Sequence, residues 1–334
     1  MEINSDALIQ KDFILLDWNV IQYLKNPRKP SDEDVRNVID SLYRHYEFPF
    51  CEAHLRDLER NHDKHPDYVE DDLSFLQLLT HNVALGVASE SNKSAEFLLT
   101  KYDPQKLFNE IISEPSQIPN ITPDMGPQSS FSADIQAMDP SNPLYKMLIE
   151  NGGNYDPVAM SKWVNDSYKP FFSDTEPYKS FRNYMVNLKR DIATSDSVGL
   201  NTHDLIYKKI LVKQMTPFIN SLEIDDEADL SRIWKDAISE FLRITHPVEI
   251  PFGLLITSAY SMLDFHPLFR EKLKKNKNTL SNITRDSKMI YYASSSKYFV
   301  TEDLGCLEKA NFIFKAFACR TKALDMTQFL HKFS

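Results

Sequence analysis

The first strong pattern along the chain is an apolar run of strand length, Phe13-Ile14-Leu15-Leu16. It stops abruptly at Asp17-Trp18-Asn19, after which Val20-Ile21-Gln22-Tyr23-Leu24 has helical character. A run without polar alternation marks a strand buried on both faces. Its end carries a carboxylate to the C-terminal edge of a sheet, the edge at which open α/β folds bind ligands. Residues 31–46 follow with an N-capping Ser31, acidic residues Asp32, Glu33 and Asp34 in the first turn, and apolar positions Val35, Val38, Ile39, Leu42 and Tyr43 at helical spacing. Phe48-Pro49-Phe50 fits a second short strand. Helices are expected over 51–64 and 68–79, and HNVALGVA at 81–88 has the β-branched and small-residue mix of a strand.

From Asn92 to Ile112 the apolar spacing is helical. Residues 114–143 then carry six prolines and Gly126, the composition of a long irregular loop. Helical spacing resumes over 174–193, 202–222, 226–245 and 251–264. At the end of the chain a helix opened by Ser281 and running to about Ser296 precedes the strand Tyr298-Phe299-Val300, which runs out into Thr301-Glu302-Asp303. A short helix, a strand near 320–323 and a final helix over 326–333 follow. The expected fold class is α/β, built from both chain ends: residues 1–88 and 281–334 form one domain of about 142 residues, interrupted by an all-helical insertion over 89–280.

Composition narrows the chemistry. Seven glycines in 334 residues, against a usual ~7%, include no G-x-G-x-x-G or P-loop spacing, which excludes a glycine-cradled nucleotide, and no G-x-S-x-G elbow occurs either. Three cysteines without C-x-x-C spacing, Cys51, Cys306 and Cys319, point away from a disulfide framework or a thiolate zinc site and towards a reducing, cytoplasmic compartment. The opening residues show no basic stretch leading into an apolar one, so no secretory leader is expected there. The longest apolar run, 250–263, is broken by Thr257, Ser258 and Ser261 and is shorter than the ~18–20 residues of a bilayer crossing, so no membrane contact is expected. The formal net charge of −10 gives no global attraction to phosphate, so nucleic acid would have to be met by local basic patches.

Four aspartates recur at element boundaries of the end segments: Asp17 after the first strand, Asp57 in the helix after Pro49, Asp286 in the first turn of a late helix, and Asp303 after a late strand. Singly, each also reads as a helix cap or a charge at a helix start. As a set, carried by FILLDWNVIQYL at 13–24, PFCEAHLRDLER at 49–60 and TRDSKMIYYASSSKYFVTEDLGCLEKA at 284–310, with RTKALDMTQFL at 320–330 in keeping, they resemble the PIN nuclease family. The resemblance implies a PIN-like parallel-sheet sandwich flanked by helices. Its acidic cluster would be Asp17, Asp57, Asp286 and Asp303, acting as catalytic residues and metal ligands, with Asn19, Thr301 and His54 in support. The implied activity is divalent-metal-dependent endoribonuclease chemistry, as in a toxin or defence effector, with RNA as substrate and an inhibitory or regulatory protein as partner; oligomerisation stays open.

Elementary chemistry agrees with that implication. Converging carboxylates repel one another unless a cation compensates, and oxygen-only ligands suit Mg²⁺ or Mn²⁺ rather than zinc. Asp57 stands where the family often has Glu, and Glu52, Glu59 and Glu302 are rivals for the same roles; Glu302 should face away from Asp303 if the pleat persists. The basic run Arg270, Lys272, Lys274, Lys275 and Lys277 just before the Asp286 helix is the preferred phosphate contact, Lys189-Arg190, Lys208, Lys209 and Lys213 are further candidates, and Trp18 beside Asp17 is a candidate pocket wall. Two alternatives remain. One is a PIN-like module that binds RNA or protein without cutting. The other is a metal-independent ribonuclease resembling the HEPN type, using Arg60 and His65 of the R-N-x-x-x-H stretch at 60–65.

Overall fold

A computed structural model describes residues 8–113, 213–243, 246–270 and 280–334, together with Glu176, Tyr178, Lys179, Ser180 and Arg182. The chain is mixed α/β. In order, the elements are β1 (Leu8–Ile9), β2 (Ile14–Leu16), α1 (Trp18–Lys25), α2 (Pro30–Leu42), α3 (Glu52–His62), α4 (Pro66–Thr80), β3 (Val83–Glu90), β4 (Ala95–Lys101) and α5 (Pro104–Ser113). After a helical stretch over 213–221 come α6 (Glu227–Leu242), α7 (Phe252–Met262), α8 (Leu280–Ala293), β5 (Tyr298–Val300), α9 (Leu304–Ala316), β6 (Lys322–Leu324) and α10 (Met326–Phe333).

β2, β5 and β6 form a small parallel sheet in the order β2-β5-β6, with Leu16 opposite Val300 and Val300 opposite Leu324. β1, β4 and β3 form an antiparallel sheet. The segment 47–50 lies between the two: Phe13 bridges Glu47 and Phe50 bridges Ala84, both in parallel sense. The Ile14 amide donates to the Glu47 carbonyl (2.9 Å) and the Leu85 amide to the Phe50 carbonyl (2.7 Å). Phe48-Pro49-Phe50 thus makes isolated bridges rather than a full strand, Pro49 having no N–H for a ladder.

The central strands serve two cores at once. Phe13 and Leu15, with Phe299 and Ala323, face a cluster built with α6, α7, α8 and α9, including Trp234, Ile256, Tyr260, Ile290 and Phe312. Ile14 and Leu16, with Val300, face a second cluster built with α1, α2, α4 and α10, including Val20, Ile39, Leu76 and Phe329. The strict alternation is the period-2 pleat, and burial on both faces explains why the sequence there is continuously apolar. Helices α6 and α7, which lie within the expected insertion, share the first of these cores with the sheet.

Two expectations are corrected. The insertion is not all-helical from residue 89: Ala95–Lys101 is a strand paired antiparallel with Val83–Glu90. The spacing of Phe97, Leu98 and Leu99 serves either element; the Ser91–Ser94 turn decides, the Ser91 amide donating to the Ser94 carbonyl (3.0 Å) and the Ser91 Oγ accepting from the Lys93 and Ser94 amides (3.2 Å each). The helix begins only at Pro104, after Asp103. The late helix starts at Leu280, so Asp286 lies mid-helix rather than in the first turn, where a dipole role would require it. Among the described residues no helix is long and apolar enough to cross a membrane. All three cysteines are free thiols. The expected loop at 114–143, all but five residues of the expected helix at 174–193, and residues 202–212 of the expected helix at 202–222 lie outside the described residues.

Candidate active site

Parallel pairing in register brings the ends of β2, β5 and β6 to one edge. The Asp17 amide donates to the Val300 carbonyl (2.8 Å) and the Thr301 amide to the Leu324 carbonyl (3.0 Å), so the first residue beyond β2 and the first beyond β5 are neighbours across 284 positions of sequence. Asp17 caps α1 with extended backbone angles, its Oδ1 accepting from the Trp18 amide (2.8 Å). Its Oδ2 accepts from the Asn19 side-chain amide (2.9 Å) and the Thr301 hydroxyl (2.6 Å). Thr301 is fully buried. Two of the three supporting residues expected from the sequence, Asn19 and Thr301, therefore hold Asp17 directly.

Asp303 caps α9, accepting from the Cys306 amide (3.0 Å), and its own amide donates to the Thr301 hydroxyl (3.2 Å). Its carboxylate is exposed. Asp57 enters from α3 and Asp286 from α8, two helices that pack together. Asp57 Oδ1 is ion-paired with Arg285 Nε at 3.0 Å, both side chains half-buried. Asp286 is exposed.

These carboxylates feel one another. Burial raises the Asp17 pKa from 3.8 to about 6; the Thr301 hydrogen bond opposes the rise, while the charges of Asp57 and Asp303 add to it. The surrounding protein also holds the Asp286 carboxyl well above the usual range, reinforced by Asp17, Asp57 and Asp303 and opposed by Lys309. The four carboxylates are therefore within electrostatic reach of one another.

The rivals are engaged elsewhere. Glu52 and Glu59 both pair with Arg56 (3.1 and 3.3 Å). Glu302 accepts from the Met326 amide at the start of α10 (3.0 Å), pointing away from Asp303 as the pleat requires. His54 is completely buried: Nδ1 accepts from the Cys51 amide (3.0 Å) and Nε2 donates to the Leu16 carbonyl (2.8 Å), which fixes a neutral ring under the end of β2. Burial pushes its pKa down to about 4. Trp18 is half-buried, its ring 6.4 Å from that of His54.

Arg60 sits in α3, but that helix ends at His62; His65 lies beyond it as the N-cap residue of α4, exposed and edge-on to Tyr68. The two do not share a helix. Of the basic run, Arg270 is exposed, and Lys272, Lys274, Lys275 and Lys277 lie outside the described residues, as do Lys189, Arg190, Lys208 and Lys209; Lys213 is exposed. Sequence reasoning missed two cations at the site. Arg285 was legible as the residue before Asp286 once α3 and α8 are known to touch. Lys309 stands out only as a lysine in an otherwise apolar helix face, 1% exposed and 3.7 Å from Asp264.

Carboxylate oxygens crowded by like charge form the donor set of a hard divalent cation. Among the described residues no three His, Cys, Asp or Glu side chains are drawn together closely enough to hold one. Three of the four acids have separate tethers: Asp17 to Thr301 and Asn19, Asp57 to Arg285, Asp303 to its cap. In comparisons of the chain with protein-family models, curated proteins and solved structures, nothing matches it.

Proposed function

We propose that this protein is a divalent-metal-dependent ribonuclease with a PIN-like arrangement of strands, working through Asp17, Asp57, Asp286 and Asp303. The observation that carries the reading is the Asp17 carboxyl, raised to about 6 by burial and by Asp57 and Asp303 at the end of a central strand. The parallel bridges and ladders support it: read across, they run from Val83–Glu90 through 47–50, Ile14–Leu16 and Tyr298–Val300 to Lys322–Leu324. The acids then lie where open parallel sheets bind ligands.

A bound Mg²⁺ or Mn²⁺ would supply an acidified water and compensation for charge developing on the phosphodiester. Asp17 is oriented for that task by Thr301 and Asn19, and His54 fixes the strand end beneath it by binding the Leu16 carbonyl. Attack of water on phosphorus with departure of the 3′-oxygen leaves a 5′-phosphate and a 3′-hydroxyl.

The test is Mn²⁺-dependent cleavage of a labelled RNA by the wild-type chain, lost in Asp17→Asn and in Asp303→Asn. RNA binding without cleavage at any Mn²⁺ concentration refutes the enzyme and leaves a binding module. Equal cleavage in EDTA refutes the metal and returns attention to Arg60 and His65.

A further inference from the structure

The parallel sheet carries opposite charge at its two ends. Its C-terminal edge holds Asp17, Glu302, Asp303 and the α10 cap Asp325, which together repel phosphate. Its N-terminal ends are basic: Lys297 precedes β5, Lys322 opens β6 and Arg320 lies two residues before it, all three exposed. Asp12, exposed ahead of β2, offsets one of these charges. Lys322 pairs in register with Tyr298, and paired residues of neighbouring strands face the same side. Lys332, in the last turn of α10, reaches that side too, its ammonium 5.1 Å from the centre of the Tyr298 ring and 5.9 Å from that of Phe333. The two rings pack edge to face at 5.5 Å and are partly buried on the second core. Lys332 therefore stands over an aromatic floor beside Lys322. Among the described residues none of these four cations makes an ion pair.

A chain of formal net charge −10 attracts phosphate only through such a local excess of cations free to face it. Aromatic surface beneath the cations adds a place for bases to stack, which favours single-stranded nucleic acid over an acidic protein segment. We propose that Lys297, Arg320, Lys322 and Lys332 form a docking surface for single-stranded RNA. It lies at the opposite strand ends from the acids: the extended chain from Lys297 to Thr301 spans about 13 Å. The surface holds RNA by its backbone, away from the carboxylates, and so raises the effective concentration of strand at the acidic edge. From the nuclease reading above it takes only the choice of RNA as the polyanion.

Anisotropy of a labelled oligouridine, titrated with the full chain in EDTA, tests the surface with neither cation nor turnover involved. The triple variant Arg320→Gln, Lys322→Gln, Lys332→Gln should lower the salt slope of log K by about 2 and bind about 100-fold more weakly at about 0.1 M salt, three single-strand phosphate contacts being lost. Lys93→Gln, the same charge change in the exposed turn between β3 and β4, should leave affinity within about two-fold of wild type. Unchanged RNA affinity or salt slope in the triple variant overturns the surface and leaves the acids as they stand. Polyglutamate binding the wild-type chain as tightly as the oligouridine at equal salt overturns RNA as the occupant. A chain that binds RNA through this surface and never cleaves it with Mn²⁺ overturns the nuclease reading alone.

Discussion

Asp17→Asn should make the protein more stable at neutral pH and, on the nuclease proposal, abolish cleavage. The Asp17 carboxyl has a pKa of about 6 in the folded chain against 3.8 for an ordinary aspartate. At 1.36 kcal/mol per pKa unit, holding it ionised costs the folded state about 3 kcal/mol once the pH is well above 6. Part of the side chain meets solvent and part of the cost is shared with Asp57 and Asp303, so the gain on neutralisation is expected at about 1–2 kcal/mol. The hydrogen bonds can be kept by turning two partners: an asparagine oxygen still accepts from the Trp18 amide, and its amide can donate to Thr301 Oγ1 once that hydroxyl turns and to Asn19 Oδ1 once that side-chain amide flips. Between pH 3.8 and 6 the folded protein binds more protons than the unfolded chain. The wild-type penalty therefore grows as pH rises through that window and is absent below it. Urea unfolding midpoints of wild type and Asp17→Asn, compared at about pH 8 and about pH 4, should differ at the first and converge at the second. An Asp17→Asn variant less stable at the higher pH, or a difference that ignores pH, refutes the reasoning.

Asp264 is 1% exposed and accepts from the Tyr178 hydroxyl (2.5 Å) and Arg182 (3.3 Å), with Lys309 at 3.7 Å. Asp264→Asn removes the charge that both cations face and should cost about 3–5 kcal/mol in urea unfolding, whereas Lys309→Met leaves the Asp264–Arg182 pair and should cost no more than about 2 kcal/mol; equal costs contradict this account. His54 should appear in nitrogen-edited NMR as the neutral Nε2–H tautomer, titrating near pH 4 rather than 6.5, with its burial subtracting stability as pH falls below 6.5. A midpoint near 6.5 would contradict the buried ring.

Much of the end segments was legible because their patterns have one physical reading. Ile14–Leu16 and Tyr298–Val300 are short apolar runs closed by polar residues, and both are strands buried on two faces. Asp303 and Asp17 read as caps and are caps, yet the capping geometry also turns their carboxylates towards a common edge. The hairpin at 83–101 was not legible as a whole, since Phe97, Leu98 and Leu99 suit a helix as well as a strand and the arbiter is a four-residue serine turn. Asp286 was identified, but its helix starts earlier than Ser281 suggested.

Residue identity alone establishes which side chains can carry charge-based chemistry, and periodicity puts the acids at element ends or on helices. Which of them meet was decided by tertiary structure. Parallel pairing of Leu16 with Val300 sets Thr301 against Asp17, and the packing of α3 on α8 gives Asp57 to Arg285. Periodicity reports the face of a single element, whereas electrostatic coupling depends on distances between elements that only register and packing set. Hence the two cations at the site, Arg285 and Lys309, became visible only when the chain was folded.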